Sequence, residues 1–200
     1  MEQRGQTAGR ARLWDGAHGL FWREAARRPR DLGAVVPSSR ALARAMAMAV
    51  PSDAERVAEL GAGTGALTRG LWERGLHPAH CLLVEPNPVF AAHLRRSWPT
   101  ARVIQGYAQD LLPTGELDAV VSGLPLRAMD AGTVEGIVAA SFAALRPEGV
   151  FIQFTYGLRC PVPGEVLERL GLVAERWRWV YANIPPACVW RVTRAPSLSG

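Results

Sequence analysis

The segment that most constrains the fold is the run Val-Ala-Glu-Leu-Gly-Ala-Gly-Thr-Gly, which spans residues 57–65. Its first four residues are typical of a short buried strand, and the three alternate glycines permit a sharp turn into the helical pattern that follows. Glycines are required where a backbone turns tightly or where a ligand lies against it. The run therefore predicts the first strand and helix of a parallel α/β sheet, with a ligand site at the turn.

The remainder of the chain alternates short apolar runs with helical patterns, which is typical of βαβ units. A helix capped by Ser38 or Ser39 should run to Val50, before the first strand. We expect strands near 56–60, 80–85, 102–105, 117–122, 148–154, 172–182 and 186–193, and helices near 65–75, 87–97, 131–145 and 163–170. The last two strands are too close for a crossover helix, so they should pair antiparallel. The predicted fold class is α/β, with a seven-stranded, mostly parallel sheet whose last strand is antiparallel.

The composition fits one folded domain of 200 residues, since 48% of the residues are apolar and 20% are charged. All 23 basic residues are arginines, and the net charge of +5 favours anionic partners. The three cysteines are widely spaced, so we expect neither a disulfide framework nor a zinc site. No run is long and apolar enough for a membrane span or a signal peptide, so we expect a cytoplasmic protein.

The basic excess is concentrated in residues 1–30, which carry seven arginines and three acids. We expect a disordered tail over 1–9, a basic amphipathic helix over 10–32, an α/β domain over 33–194 and a tail over 195–200. Apolar and aromatic side chains flanked by arginines suit a helix that lies in an anionic headgroup layer. The alternative is that this helix packs as a lid on the domain. The side chains predicted to meet the membrane are Arg12, Leu13, Trp14, Leu20, Phe21, Trp22, Arg23, Arg27 and Arg28.

The spacing of acids around the glycine turn narrows the choice of ligand. Glu59 precedes the turn, and Glu85 ends the next strand, twenty residues beyond the last glycine. A dinucleotide-binding fingerprint has a different glycine spacing, and a phosphate-binding loop needs a Gly-Lys-Ser/Thr that is absent. The pattern resembles the cofactor site of the class I S-adenosylmethionine-dependent methyltransferases, which have a Rossmann-like fold. An NAD-binding domain remains an alternative.

The resemblance assigns roles to five residues. It implies that Gly61, Gly63 and Gly65 pass under the methionine part of S-adenosylmethionine. It also implies that Glu59 helps to hold the ammonium group and that Glu85 holds the ribose hydroxyls. The expected cofactor is therefore S-adenosylmethionine, which leaves as S-adenosylhomocysteine.

The loop after the third strand departs from the family pattern. An acid usually binds the adenine amine there, whereas this chain has Tyr107. Four interpretations stay open: adenine stacks on Tyr107, adenine meets only the backbone at Ala108, Asp110 replaces the acid, or Tyr107 only packs at the end of the strand.

The turn after the fourth strand bears on the substrate. The body of the chain resembles the ribosomal-RNA adenine dimethylases, but the turn at residues 122–126, Ser-Gly-Leu-Pro-Leu, lacks the amide and the aromatic ring that accept a flipped base. A closer resemblance, over residues 10–194, is to the bacterial phospholipid N-methyltransferases. It is carried by Gly33–Ala43, Ser122–Pro125, Gln153–Gly157 and Asn183–Ala187.

The closer resemblance implies stepwise methylation of phosphatidylethanolamine, through its mono- and dimethyl forms, to phosphatidylcholine. The implied enzyme is peripheral on the inner face of the cytoplasmic membrane. We expect a monomer that binds neither a metal ion nor nucleic acid. The alternatives are a ribosomal-RNA adenine N6-methyltransferase and a non-catalytic module that binds S-adenosylmethionine or membrane.

Candidate substrate residues lie at the carboxyl ends of the predicted strands, where ligands bind in such sheets. The ring of Tyr156 can attract a methylammonium group, and its hydroxyl can relay a proton. Further catalytic candidates are Ser122, Tyr181 and Asn183. A lipid phosphate suits a bidentate arginine, and the candidates are Arg127, Arg159 and Arg40.

Overall fold

A computed structural model describes residues 39–196, in which helices cover both faces of a sheet. The helices are α1 (Arg40–Ala49), α2 (Ala66–Glu73), α3 (Pro88–Ser97), α4 (Ala131–Ala144) and α5 (Gly164–Arg169). The strands are β1 (Val57–Leu60), β2 (Cys81–Val84), β3 (Arg102–Ile104), β4 (Leu117–Ser122), β5 (Leu145–Thr155), β6 (Leu172–Val180) and β7 (Ala187–Arg194). Single 3₁₀ turns lie at Pro78–His80, Ala108–Asp110 and Leu126–Ala128.

The seven strands lie in the order β3-β2-β1-β4-β5-β7-β6. Strand β7 runs antiparallel to both β5 and β6, and the other pairs are parallel. This confirms the predicted fold class. The structure also decides between the two predicted caps of α1, because the Ser39 hydroxyl accepts a hydrogen bond from the Leu42 N–H at 3.2 Å.

The core is divided between the two faces of the sheet, because successive strand residues point to opposite sides. On one face, Val57, Ala119 and Ile152 pack in a buried cluster with residues of α1, α2 and α3. The long helix α4 packs against β5 and the short α5 against β6. The central strands are covered on both sides, which explains why β1 and β4 contain no exposed residue.

The order of the strands places a binding site at the centre of the sheet. From β1 the chain crosses to β2 on one side, and from β4 it crosses to β5 on the other. The loops after β1 and β4 therefore flank the point where the strand order reverses, which is where open α/β sheets bind ligands. The end of the sheet where the parallel strands have their carboxyl ends is called the carboxyl edge, and it includes the loop after β5 and the β6–β7 connection.

The predicted tail over 1–9 and basic helix over 10–32 lie outside the described residues. The same holds for the membrane-binding side chains from Arg12 to Arg28, for residues 33–38 at the start of the predicted α/β domain and for residues 197–200. These assignments and the domain boundaries built on them stay predictions.

Asp118 braces the opposite, amino edge of the sheet. Its Oδ2 accepts hydrogen bonds from the N–H groups of Glu55 and Arg56, both at 2.7 Å, and its Oδ1 lies 2.7 Å from the Arg146 guanidinium. The residue is only 5% exposed. We expect Asp118→Asn to lower the free energy of unfolding by about 2 kcal/mol, because an amide cannot accept from all three donors. Urea denaturation measures the change.

Glu116 supplies a matched control two residues away. It pairs with Arg56 at 2.8 Å, but both side chains are about three-fifths exposed. Exposed ion pairs contribute little, so Glu116→Gln should change the free energy of unfolding by no more than about 0.5 kcal/mol. Equal losses in the two variants would contradict the bracing role of Asp118.

Candidate functional site

The loop between β1 and α2 depends on its three glycines for its shape. Gly61, Gly63 and Gly65 have φ angles of +68°, +52° and +80°, a region that other residues rarely adopt. A Cβ added at Gly61 would lie 2.7 Å from the Leu124 side chain, and one at Gly65 would lie 2.7 Å from Trp98 Nε1. At Gly63 the nearest atom would be 3.9 Å away, so this glycine borders open space. Packing therefore requires the outer glycines, while the middle one leaves room for a ligand.

Glu59 holds a buried acceptor atom beside this loop. The residue is 1% exposed, and its Oε2 accepts a hydrogen bond from the Thr68 hydroxyl at 2.6 Å. Its Oε1 has no hydrogen-bond partner among the residues described. Burial raises the pKa of Glu59 to about 8, against the lowering effect of Thr68, and the charge of Glu85 raises it further. An unpartnered buried carboxylate oxygen suits a cationic N–H donor from a ligand.

Glu85 fastens the glycine loop to the end of β2. Its Oε2 accepts from the Gly63 N–H at 2.9 Å, and its Oε1 accepts from the Asn87 N–H at 2.8 Å. Burial raises the pKa of this carboxyl group, and the two backbone bonds oppose the rise. Each carboxylate oxygen keeps a second lone pair, so Glu85 can still accept bonds from a pair of ligand hydroxyls.

In the loop after β3, the Asp110 carboxylate has a hydrogen-bond partner within its own turn. Its Oδ2 accepts from the Tyr107 N–H at 2.8 Å, so this exposed carboxylate closes its own 3₁₀ turn. Ala108 is buried at the start of that turn, and Tyr107 is partly exposed. The structure thus gives Asp110 a local capping role, and adenine contact by Tyr107, Ala108 or Asp110 stays a prediction.

The turn after β4 lies against the glycine loop. A Cβ added at Gly123 would be 3.1 Å from the Gly61 carbonyl oxygen. Ser122 is fully buried, and its hydroxyl accepts from the Leu124 N–H at 3.3 Å. From β5, the buried Gln153 donates through Nε2 to the Leu124 carbonyl at 2.9 Å. These bonds fix Leu124, whose side chain would contact any Cβ at Gly61, so the turn supports the shape of the loop.

The structure brings together two of the predicted catalytic residues, one after the end of β5 and the other in the β6–β7 connection. Tyr156 follows β5, and the Asn183 side chain lies close enough to influence the ionisation of its phenol. Asn183 is 4% exposed, and its Nδ2 donates to the Pro185 carbonyl at 2.6 Å. Burial raises the pKa of Tyr156, and the nearby side chain of Asn183 opposes the rise. The phenol therefore stays protonated near neutral pH, where it can share a proton in a hydrogen bond without acting as a phenolate base.

Of the three predicted phosphate-binding arginines, Arg127 lies close to the residue that follows Tyr156. A Cβ added at Gly157, the residue after Tyr156, would be 3.8 Å from the Arg127 guanidinium. Arg159 is exposed on the same loop. Arg40 lies elsewhere, at the start of α1, where it pairs with the Glu73 carboxylate at 3.1 Å.

Tyr181 differs from Tyr156 in its surroundings. It is 76% exposed and stacks on Trp179, with 6.1 Å between the ring centres. It lines a shallow depression with Met48 of α1, and the structure shows no bond between it and the Tyr156–Asn183 pair.

Sequence reasoning gave no role to Thr68, Asn87, Trp98 or Gln153, which orient the predicted site residues. For Gln153 a signal existed, because an amide inside an otherwise apolar strand needs a hydrogen-bond partner. Among residues 39–196, no cluster of three or more His, Cys, Asp or Glu could hold a metal ion, and no helix is long and apolar enough to cross a bilayer.

Comparisons with known proteins agree with this geometry. A family described as "Methyltransferase domain" matches residues 57–149. The ornithine lipid N-methyltransferase of Singulisphaera acidiphila is 31% identical over 135 residues, which cover 62% of this chain and 70% of that protein. The 1,6-didemethyltoxoflavin-N1-methyltransferase of Burkholderia thailandensis, solved with S-adenosylhomocysteine, superposes with a TM-score of 0.68 at 17% identity, over 91% of this chain and 90% of its own.

A second solved structure has the same fold. The glycopeptide N-methyltransferase MtfA, complexed with S-adenosylmethionine, gives a TM-score of 0.62 at 15% identity, over 80% of this chain and 96% of its own.

Proposed function

Because this chain belongs to the class I S-adenosylmethionine-dependent methyltransferases, we propose that it methylates the amine of a membrane lipid, with phosphatidylethanolamine as substrate. Its cofactor is S-adenosylmethionine. The observation that carries the proposal is the placement of Tyr156, Asn183 and Arg127 at the carboxyl edge, beside the turn that supports the glycine loop. An aromatic ring, an amide and a guanidinium suit a headgroup that has an ammonium at one end and a phosphate at the other.

The residues present fit the cofactor. The open space beside Gly63 admits a ligand against the backbone, and the unpartnered Oε1 of Glu59 can accept from an ammonium group. Glu85 retains acceptor capacity for ribose hydroxyls, as the family resemblance implies. When bound, S-adenosylmethionine supplies the methyl group from a positively charged sulfonium.

The protein's own contribution is to align the lipid amine and to control its proton. An amine attacks only in its uncharged form, so each ammonium intermediate that still carries a proton must lose it first. The Tyr156 ring attracts the cationic headgroup, and its hydroxyl, close to the Asn183 side chain, can relay the proton to water. Arg127 can anchor the phosphate, which limits the headgroup to orientations in which the amine points inward.

Ornithine lipid is a second candidate substrate. It is favoured by the 31% identity to an ornithine lipid N-methyltransferase of which this chain covers 70%. Its headgroup presents an amine and a carboxylate, which suit the same aromatic and guanidinium groups.

The deciding experiment incubates the purified protein with methyl-labelled S-adenosylmethionine and three acceptors in parallel. The acceptors are vesicles of phosphatidylethanolamine with phosphatidylglycerol, vesicles of ornithine lipid with phosphatidylglycerol, and ribosomal RNA. Labelled mono-, di- and trimethylated phosphatidylethanolamine is the expected result. Label in ornithine lipid alone would replace the proposed substrate, label in RNA alone would overturn the lipid proposal, and label in none would favour a non-catalytic module.

Two substitutions separate the roles proposed for Tyr156. Tyr156→Ala removes the ring, and we expect kcat/KM to fall about tenfold, within the range of a cation–π contact. Tyr156→Phe keeps the ring, so KM should stay within about twofold while kcat falls, most strongly at low pH where more of the amine is protonated. Steady-state kinetics on lipid vesicles between pH 6 and 9 measures both effects.

The comparison residue for this test is Tyr181, the other tyrosine at this edge. Tyr181→Phe should leave kcat and its pH profile unchanged, since that ring is 76% exposed. Should Tyr181→Phe lower kcat while Tyr156→Phe does not, the proton relay belongs to Tyr181.

A further inference from the structure

Two neighbouring connections at the carboxyl edge present large apolar side chains to solvent. Leu158, in the loop after β5, is 73% exposed. In the connection between β6 and β7, Ile184 is 90% exposed and is followed by Pro185 and Pro186. Single exposed apolar residues are common on protein surfaces, but these two belong to one edge, and each lies within two residues of a predicted catalytic residue, Tyr156 or Asn183.

These two connections are adjacent, and each is anchored to the domain by buried residues. Strands β5 and β7 pair where they meet these connections, with Thr155 opposite Cys188. Asn183 is buried and donates to the Pro185 carbonyl, and Val162 is buried at the far end of the first loop. The exposure of Leu158 and Ile184 is therefore a feature of loops that are fixed to the domain.

The two connections carry no negative charge. Residues 156–163 and 181–187 contain no Asp or Glu, whereas Arg159 and Arg127 are exposed at the same edge. Apolar tips flanked by guanidinium groups match the layered chemistry of a bilayer that contains anionic lipid, with acyl chains below and phosphates above. A protein partner of ordinary composition would not require this combination.

We infer that the carboxyl-edge patch, defined by Leu158, Arg159, Ile184 and Pro185, docks on the surface of an anionic bilayer. Leu158 and Ile184 enter the boundary between headgroups and acyl chains, and Arg159 meets lipid phosphates. The mouth of the site around Tyr156 then faces the membrane, so a lipid headgroup can enter it without leaving the bilayer. The inference rests on the proposed function for its lipid substrate, but the docking can be measured without any turnover.

The test measures binding to sucrose-loaded vesicles by co-sedimentation, with the full chain and no cofactor. Vesicles contain phosphatidylethanolamine with phosphatidylglycerol, or phosphatidylcholine alone as the zwitterionic comparison. We expect Leu158→Glu and Ile184→Glu, combined, to lower partitioning to anionic vesicles at least about tenfold. Val173→Glu is the matched control, because Val173 is a 45% exposed aliphatic residue at the amino edge, and it should change partitioning by less than about twofold.

Further readouts separate this inference from the proposed function. Short-chain phosphatidylethanolamine, dissolved below its micelle concentration, needs no docking, so the double variant should methylate it at the rate of the unmodified protein while losing activity on vesicles. If the unmodified protein methylates neither lipid form, the proposed function fails, yet the vesicle binding of the variants still decides the docking.

Three results would overturn the inference: unchanged partitioning of the double variant, an equal loss in Val173→Glu, or a dimer in solution that the double variant dissociates, because the patch would then bind a second copy of the chain. If the double glutamate variant does not fold, as judged by its thermal unfolding, Leu158→Ser with Ile184→Ser replaces it under the same criteria.

Discussion

Replacing Glu85 with alanine is expected to lower the affinity for S-adenosylmethionine at least about 100-fold. The carboxylate accepts hydrogen bonds from the N–H groups of Gly63 and Asn87, so its removal frees the glycine loop from the end of β2. Each hydrogen bond to a charged group contributes about 1.5–3 kcal/mol, and about 1.4 kcal/mol corresponds to a tenfold change in affinity. The same change also removes the acceptor that the family resemblance assigns to the ribose hydroxyls. Isothermal titration calorimetry measures the affinity directly.

Two controls give this measurement its meaning. Glu85→Gln keeps one carbonyl acceptor, so its affinity should lie between those of Glu85→Ala and the unmodified protein. Glu116→Ala removes an exposed acid at the amino edge and should leave the affinity unchanged. An affinity of Glu85→Ala within about threefold of the unmodified protein would contradict the role of Glu85 in both the loop and the cofactor site.

The sheet could be predicted from the sequence because its central strands are buried on both faces. Such strands are continuous apolar runs, and β1, β2 and β4 stand out from the helical patterns between them. The residues at which strands begin and end were harder to predict. Strand β5 begins at Leu145, directly after α4, although residues 146–149, Arg-Pro-Glu-Gly, have the composition of a turn. The tertiary pairing of Leu145 with Leu117, followed by a shift in register, overrides that local preference.

The candidate site was predictable only where its chemistry is local. The glycines and the two acids stand in a fixed spacing, and the structure places both Glu59 and Glu85 beside the one glycine loop. By contrast, the bond from Gln153 to the Leu124 carbonyl spans 29 residues, and the Tyr156–Asn183 pair joins two separate connections. Contacts of this kind depend on the register of β5 against β4 and β7, which no local pattern encodes.

Glu59→Gln is expected to have opposite effects on stability and on cofactor binding. The pKa of Glu59 is about 8 in the folded protein and 4.5 in an exposed carboxyl group, so between these values the folded state holds a proton that the unfolded state has released. The contribution of Glu59 to stability is therefore largest below pH 4.5 and falls as pH rises, by up to about 1.4 kcal/mol per unit. Glutamine does not titrate and can still accept the Thr68 bond. Without cofactor, the unmodified protein should lose about 3 kcal/mol between pH 5 and 8 relative to the variant.

The binding of S-adenosylmethionine should show the reverse order. An ammonium group is held better by an ionised Glu59, so the affinity of the unmodified protein should rise toward pH 8, by up to tenfold per unit, as the carboxyl group loses its proton. The variant should bind more weakly at pH 8, and the ratio of the two affinities cancels the titration of the ligand itself. Calorimetry from pH 6 to 8.5 and denaturation over pH 5–8 measure both effects. A constant ratio across this range would show that Glu59 does not titrate in the site, because the ammonium then meets a carboxylate that is already charged.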